Sequence, residues 1–162
     1  MASSHETVAE ALRTTLAAIV ADGTNYIYTP DLVARVSFWP NEDALDPTLD
    51  TIYLIRPGVC ITKPYDGHRL DRHLEFRILC CHKFTEPTER PGLSDPVREQ
   101  IATDMEADVV QKIWADVRLG QPSVVIDAMP EGWQTDFDWS VQSWVVCEIR
   151  LAIRYQHPMD GR

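Results

Sequence analysis

The final long run of the chain, residues 139–156, constrains the fold more than any other stretch. From Cys147 onward, apolar and polar residues alternate, which is the pattern of a half-buried β-strand. At about 3.3 Å per residue the whole run would extend for roughly 60 Å, about three times the length of an ordinary strand. A strand of that length must bend, break or pair with another molecule. We therefore expect residues 145–155 to build the sheet and residues 133–143 to extend toward a neighbouring subunit.

Two helices are predicted from capping patterns and apolar periodicity. In residues 3–21, Ser3 and Glu6 form a capping box ahead of an apolar stripe. In residues 94–119, Pro96 occupies the first turn and Gly120 follows the last one. The second helix is the longer of the two. Its predicted core stripe has an apolar residue at every fourth position: Val97, Ile101, Met105, Val109, Ile113 and Val117. Trp114 lies beside this stripe and widens it.

The remaining apolar runs are short and typical of strands. Strands are predicted once within residues 26–40 and at 51–56, 59–62, 70–84 and 123–127, with loops at 41–50, 63–69, 85–92 and 128–138. Because strands come in runs around the helices, the fold class is α+β. We expect one domain over residues 1–162, with a mostly antiparallel sheet packed against the N-terminal helix and the long central helix, and flexible ends at 1–4 and 158–162.

The charge and hydropathy of the chain argue against two classes of function. A net charge of −10 is opposite to the basic face of a nucleic-acid reader. No apolar run approaches the roughly 20 residues that a membrane-spanning helix needs, and the N-terminus lacks a signal-peptide layout, so we expect synthesis in the cytoplasm and no membrane partner. Acidic residues concentrate at 41–50 and 127–138, either as solvated loops or as edges that meet basic edges of neighbouring copies.

The densest group of reactive side chains surrounds the strand at residues 70–84. Zinc could use such a group, but the chain has neither the CxxC nor the HExxH spacing of the common sites. The neighbours Cys80 and Cys81 should point to opposite faces of the strand, and all four cysteines are expected to be reduced. A metal- or thiol-dependent enzyme is therefore a remote alternative, which would use His68, His73, Cys80 and His82.

The paired carboxylates Asp104 and Asp108 share a face of the long helix. We interpret that face as solvated, with Asp108 pairing to Lys112 one turn later. No phosphate-binding glycine loop is present, and no catalytic residue, metal site or cofactor is predicted.

Five tryptophans are many for 162 residues. Trp114 is expected in the core because it follows the helix stripe. Four others lie in or near loops or on the polar strand face, and partly exposed aromatic residues are typical of protein interfaces: Trp39, Trp133, Trp139 and Trp144.

The order of the elements resembles the tail terminator, or tail completion, proteins of long-tailed bacteriophages and related head-to-tail joining proteins. The resemblance covers residues 50–158 and starts with a strand that ends in a Pro-Gly turn, Tyr53 to Gly58. A loop bearing Arg69 and Arg72 then leads into an alternating strand. A Pro-capped helix, a short strand, a Trp-bearing loop and a C-terminal strand that ends at Pro158 follow.

The resemblance implies a non-catalytic virion protein that forms a homo-oligomeric ring, commonly a hexamer. Such a ring caps the tail tube, stops its growth and forms the interface to the head and neck. Its expected partners are further copies of itself, the tail tube protein and the head-tail connector or neck proteins, while DNA passes through the lumen without specific binding. The residues expected at interfaces are Arg69, Arg72, Trp133, Asp136, Phe137, Trp139, Trp144, Arg150 and Arg154.

Two further alternatives remain open on sequence grounds. A head-completion or neck adaptor that joins head to tail would show the same order of elements. An adaptor or chaperone-like module would bind a single charged partner without forming a ring.

Overall fold

A computed structural model describes the backbone of residues 4–37, 49–55, 60–66, 69–83, 95–136 and 144–158. Side chains are described for residues 4–37, 49–55, 71–82, 97–132 and 144–156. Among the predicted features, Ser94, His68, Trp39, Phe137, Trp139, the expected terminal residues 1–3 and 159–162, and most of the acidic stretch at 41–50 lie outside the described residues.

The described part of the chain contains two helices and one six-stranded sheet. Helix α1 spans Ser4–Ala17 and helix α2 spans Asp95–Ala115. The strands are β1 Leu32–Val36, β2 Thr51–Ile55, β3 Cys60–Asp66, β4 Arg69–Lys83, β5 Val125–Asp136 and β6 Trp144–Pro158. This arrangement confirms the predicted α+β class, and no described helix is long and apolar enough to cross a membrane.

The sheet is built around two long central strands. Its order is β1-β2-β4-β6-β5, and β3 pairs with the first half of β4. β4 and β6 are antiparallel over 15 residues each, with Cys80 directly opposite Cys147. Every neighbouring pair is antiparallel except β1 and β2, which are parallel.

Both helices pack on one face of this sheet, which we call the helix face. α1 contacts β1 and β6, while α2 lies over β5, β6 and β4. Between them, alternate residues of the central strands are fully or nearly fully buried, including Ile78 on β4 and Ile153 on β6. The opposite face, which we call the second face, carries the intervening residues of the same strands.

The predicted core stripe of α2 is wrong at Val97 and at Trp114. Val97 is 51 % exposed and Trp114 is 60 % exposed, whereas Met105, Val109 and Ile113 are buried as predicted. A repeat of four residues advances about 40° around the helix at each step, so Val97 is turned about 80° from the buried Met105, and Trp114 is turned about 100° from the buried Ile113. Arg98 is buried near the start of the helix instead, where its Nη1 donates to the carbonyl of Trp144 at 3.0 Å.

α2 also ends at Ala115, four residues before the predicted end. Asp116 stops it by accepting the backbone N–H of Gly120 at its Oδ2, 2.6 Å away. Gly120 has a φ of +68°, a left-handed conformation that glycine adopts without strain.

Two stretches predicted as loops are strands. β3 continues through residues 63–66, and β5 continues from residue 128 to Asp136. Proline and glycine favoured loops there, but Pro64 and Pro130 lie on strands with one described neighbour, where a missing N–H need not break a ladder. The register shifts beside each proline, between Pro64 and Asp66 and between Pro130 and Gly132.

The overlong terminal strand is therefore explained within one chain. β6 begins at Trp144, and the residues from Trp133 to Asp136 belong to β5, paired antiparallel with β6. The prediction that residues 133–143 extend β6 toward a neighbour is wrong for 133–136, because those residues pair back on β6 of their own chain.

Candidate functional site

The two outer strands of the sheet are its most open feature. β1 pairs only with β2, and β5 pairs only with β6, among the strands that the structure describes. β5 is 12 residues long, and an edge of that length presents a row of backbone donors and acceptors to any strand that approaches it.

Each of these outer strands carries one exposed apolar side chain, Leu32 on β1 and Met129 on β5, and further exposed apolar residues lie on α2 and in the connection before β1. Val20, Ile27 and Leu32 lie in or beside the connection that leads from α1 into β1, and they are 62, 52 and 41 % exposed. At the other edge, Met129 of β5 is 51 % exposed.

Trp114 belongs to the β5 side of the molecule. Lys112 of α2 faces the α1 side, where its Nζ donates to the carbonyl of Ala18 at 2.8 Å. Trp114 follows two residues later and is therefore turned about 200° around the helix axis, away from α1 and toward β5. Its side chain, 60 % exposed, thus points to the β5 side of α2.

The second face of the sheet divides into an apolar half and a charged half. The apolar half is a buried cluster of Tyr53, Ile55, Leu79, Cys81, Trp144 and Val146. Trp144 is 7 % exposed inside this cluster, so its predicted role as a partly exposed interface residue is corrected: its ring packs within the chain.

The charged half of the second face contains an ion pair between Arg77 and Glu148. Arg77 on β4 donates from Nε and Nη2 to the two carboxylate oxygens of Glu148 on β6, at 2.5 and 3.0 Å. The Glu148 carboxylate raises the pKa of Arg77, because it stabilises the charged guanidinium. Glu148 is only 8 % exposed, and this fork-shaped contact compensates the burial of its charge.

Arg150 and Arg154 lie on this second face as predicted, but their surroundings differ. Arg150 is exposed and lies directly opposite Arg77 in the β4–β6 register, with Gly132 across from it on β5. Arg154 donates from Nη2 to Asp127 of β5 at 2.7 Å. Arg150 is thus the more available of the two arginines for a contact outside the chain.

The other predicted interface residues do not form one patch. Arg72 shares its strand face with Leu74 and Phe76 and so lies on the helix face, opposite to Arg150 and Arg154. The structure describes only the backbone of Arg69, Trp133 and Asp136, in β4 and β5. Arg72 therefore lies on a different face from Arg150 and Arg154, and the expectation that all three lie at interfaces stays a prediction.

The reactive group proposed for an enzyme is divided by the sheet. His73 lies on the second face, whereas Cys80 and His82 share the helix face of β4. Seven residues, or about 23 Å of strand, also separate His73 from Cys80. The described residues contain no group of three or more His, Cys, Asp or Glu side chains that could hold a metal ion.

The three described cysteine thiols are buried, and the neighbours Cys80 and Cys81 point to opposite faces of β4 as predicted. Cys80 belongs to the core on the helix face and Cys81 to the cluster on the second face. Burial raises the pKa of Cys80 well above its ordinary value and the pKa values of Cys81 and Cys147 to about 12. These three free thiols are therefore poor nucleophiles at neutral pH.

A small pocket on the helix face is lined in part by the polar residues Asp50, His82 and Asp108. Its lining is mainly apolar, and its empty volume, open mouth included, is about 340 Å³. At its rim the His82 Nδ1 lies 2.9 Å from Asp50 Oδ2, and the ring of His82 contacts the ring of Tyr28 with centroids 4.7 Å apart. These contacts tie the end of β4 to the residue that precedes β2 and to the connection before β1.

Asp108 has a structural role that the sequence analysis did not predict. It is 4 % exposed rather than solvated, and its Oδ2 accepts the backbone N–H groups of Ile27 and Tyr28 at 2.9 and 2.8 Å. Burial, with the nearby charges of Asp104 and Asp22, raises its pKa against the effect of those two hydrogen bonds. The predicted partner Lys112 bonds to Ala18 instead, so Asp108 acts as a structural clamp on the connection before β1.

Comparison with known proteins gives no family for this chain. No protein-family model matches it, and no curated protein matches it significantly.

Proposed function

We propose that this chain is a non-catalytic assembly subunit that forms a homo-oligomeric ring and acts as the tail terminator of a long-tailed bacteriophage. In this role it is made in the host cytoplasm and becomes part of the tail or neck of the virion. The ring caps the tail tube, ends its growth and presents a surface to the head-tail connector or neck proteins. The observation that carries the proposal is that the sheet, as far as it is described, ends in two different outer strands, β1 and β5, each with an exposed apolar side chain.

Two different open edges favour a ring over an isologous dimer. An exposed strand edge tends to recruit another strand unless something covers it. When the covering surface is a different part of the same molecule, the contact is head-to-tail, and repeated contacts close into a ring if the rotation allows it. Because β1 and β5 lie at opposite ends of the sheet, each copy can contact two neighbours.

The charge of the second face is compatible with a channel for DNA. Three arginines on this face, Arg77, Arg150 and Arg154, are balanced by the carboxylates of Asp71, Glu75, Asp127 and Glu148. A surface with mixed charges lacks the strong positive field with which proteins hold the phosphate backbone. If this face lines the lumen, DNA would pass without being held.

The dispersion of the reactive side chains supports a structural role over the enzymatic alternative. Cys80 and Cys147 are buried opposite each other in the centre of the sheet, and His73 lies on the other face. Cys80 is only 2 % exposed, so its thiol lacks the access to substrate that a cysteine nucleophile needs.

The oligomeric mass of the purified chain provides the first test. Native mass spectrometry should give a single closed oligomer, commonly of about six copies, alone or with tail tube protein added. A chain that stays monomeric under both conditions would contradict the proposal, and a complex with one charged partner without a ring would favour the adaptor alternative.

Deletion of the gene separates the two virion roles. Particles without a tail terminator should carry abnormally long tails, because nothing stops the growth of the tube. Tails of normal length that fail to join filled heads would identify a head-completion or neck protein instead.

A further inference from the structure

We infer that neighbouring copies join by pairing the open edge of β5 in one copy with the open edge of β1 in the next, so that one continuous sheet runs around the ring. This inference rests on the proposed ring, and it names the two surfaces that make the contact.

The strand directions suit such a junction. β1 is parallel to β2, and each further step from β2 to β4, β6 and β5 is antiparallel. β5 therefore runs opposite to β1 within one sheet. A second copy in the same orientation around a ring axis brings its β1 antiparallel to β5, the more stable type of pairing.

The exposed apolar residues match across this junction. On β1, Ala34 and Val36 pack against the cluster on the second face, so Leu32 points to that face as well. On β5, Met129 is paired with Ala152, which alternates with the core residues Leu151 and Ile153, so Met129 also points to the second face. The pairing brings two exposed side chains, Leu32 at 41 % and Met129 at 51 %, to the same side of the new sheet.

The helix side of the junction offers a second apolar contact. Trp114 points to the β5 side of α2 and is 60 % exposed, whereas Val20 and Ile27, which are 62 and 52 % exposed, belong to the connection between α1 and β1. Joining the two edges removes the apolar surfaces at both ends of the sheet from water, which is the main favourable contribution to association.

The dimensions of a continuous sheet are consistent with a passage for DNA. Five strands lie abreast in each copy. With neighbouring strands about 4.8 Å apart, a subunit contributes about 24 Å, and a ring of about six copies has a circumference of about 140 Å. The corresponding diameter is about 45 Å between opposite backbones, which exceeds the width of a DNA duplex even after side chains are added.

Cysteine cross-linking tests this junction directly. The variants are Leu32→Cys, Met129→Cys and the double variant, with Ala34→Cys plus Glu131→Cys as a second pair for a different register. Each is treated with a short bis-maleimide and separated on a denaturing gel. The unmodified chain controls for its own cysteines, and Val97→Cys plus Met129→Cys controls for chance contacts of exposed residues.

A heterologous junction predicts a specific pattern of products. At least one double variant should give a ladder of multiples of the chain mass up to the full ring, at least tenfold more abundant than in the Val97 control. Each single variant should give none, and co-expressed Leu32→Cys and Met129→Cys chains should give dimers only, because each chain then carries one added cysteine.

Three other results would overturn the inference in distinguishable ways. Dimers from Met129→Cys alone would mean that β5 meets β5. Intact rings in native mass spectrometry without a ladder from either double variant would place the contact elsewhere and leave the proposed ring standing. Monomeric chains in native mass spectrometry would remove the ring and the junction together.

Discussion

Replacement of Asp108 by alanine is the sharpest perturbation that the structure offers. The buried carboxylate accepts two backbone N–H groups, from Ile27 and Tyr28. Alanine leaves both donors without this acceptor, and an unsatisfied buried N–H costs about 1–3 kcal/mol. The side chain of Ile27 is 52 % exposed, so its amide can recover part of the loss from water. We therefore expect the free energy of unfolding to fall by about 2–4 kcal/mol.

Two matched variants separate the clamp from general effects of charge. Asp108→Asn keeps an oxygen acceptor and should remain within about 1 kcal/mol of the wild type. Asp104→Ala removes a carboxylate one turn earlier, whose Oδ1 accepts only an exposed hydrogen bond from Gln100, so it should cost less than about 0.5 kcal/mol.

Urea unfolding followed by circular dichroism measures all three variants. If Asp108→Ala loses no more stability than Asp104→Ala, the two backbone hydrogen bonds do not hold the connection before β1 in place. If Asp108→Asn is as damaging as Asp108→Ala, the negative charge rather than the acceptor geometry is what matters.

The pKa of Asp108 in the folded state is raised above the ordinary value of 3.8, so the folded state binds this proton more tightly than the unfolded state. The resulting stabilisation is fully present below pH 3.8 and is lost as the pH rises through the folded-state pKa. Relative to Asp108→Asn, the wild type should therefore be most stable below pH 3.8 and should lose this advantage at higher pH. Urea unfolding at several pH values measures the difference in unfolding free energy, and a difference that does not change with pH would contradict the reasoning. Ile113→Ala should cost about 2–5 kcal/mol, since Ile113 is fully buried, and a near-neutral result in urea unfolding would contradict the assigned core face of α2. Trp114→Ala should lower the free energy of unfolding by less than about 1 kcal/mol but weaken ring assembly at least tenfold. Val97→Ala is the control, since Val97 is also exposed on α2. Equal assembly of the two variants in analytical ultracentrifugation would exclude Trp114 from the junction.

Local patterns predicted most of the elements because each has a local physical cause. Alternation located β4 and most of β6, and helix periodicity located α1 and α2. The residues that misled the prediction were Pro64, Pro130 and Gly132, whose effect depends on whether the strand lies at an edge of the sheet. Edge position is a property of the tertiary fold, and so a single sequence does not carry it.

The same limit explains what the sequence missed at the candidate site. Asp108 and Lys112 have the spacing of a surface ion pair, but their real partners lie about 80 and 94 residues away in sequence. Trp144 was predicted to be partly exposed and is buried, whereas Trp114 was predicted to be in the core and is exposed. The burial of a tryptophan depends on what packs over it, which the local sequence does not show. The two open edges became visible only when the strand order was known.

The pairing of β4 with β6 has a consequence for synthesis on the ribosome. β4 ends at Lys83, yet its central partner begins at Trp144 and is complete only at Pro158, after every other described element. While α2 and β5 are being made, a nascent chain can pair β4 with β2 and β3, but the edge of β4 that pairs with β6 has no partner yet. Contacts so distant in sequence form slowly. Edges β1 and β5 belong to the same sheet only after β6 has been inserted between β4 and β5. The β5–β1 junction that we propose needs both edges in one sheet, so it forms only after translation through residue 158.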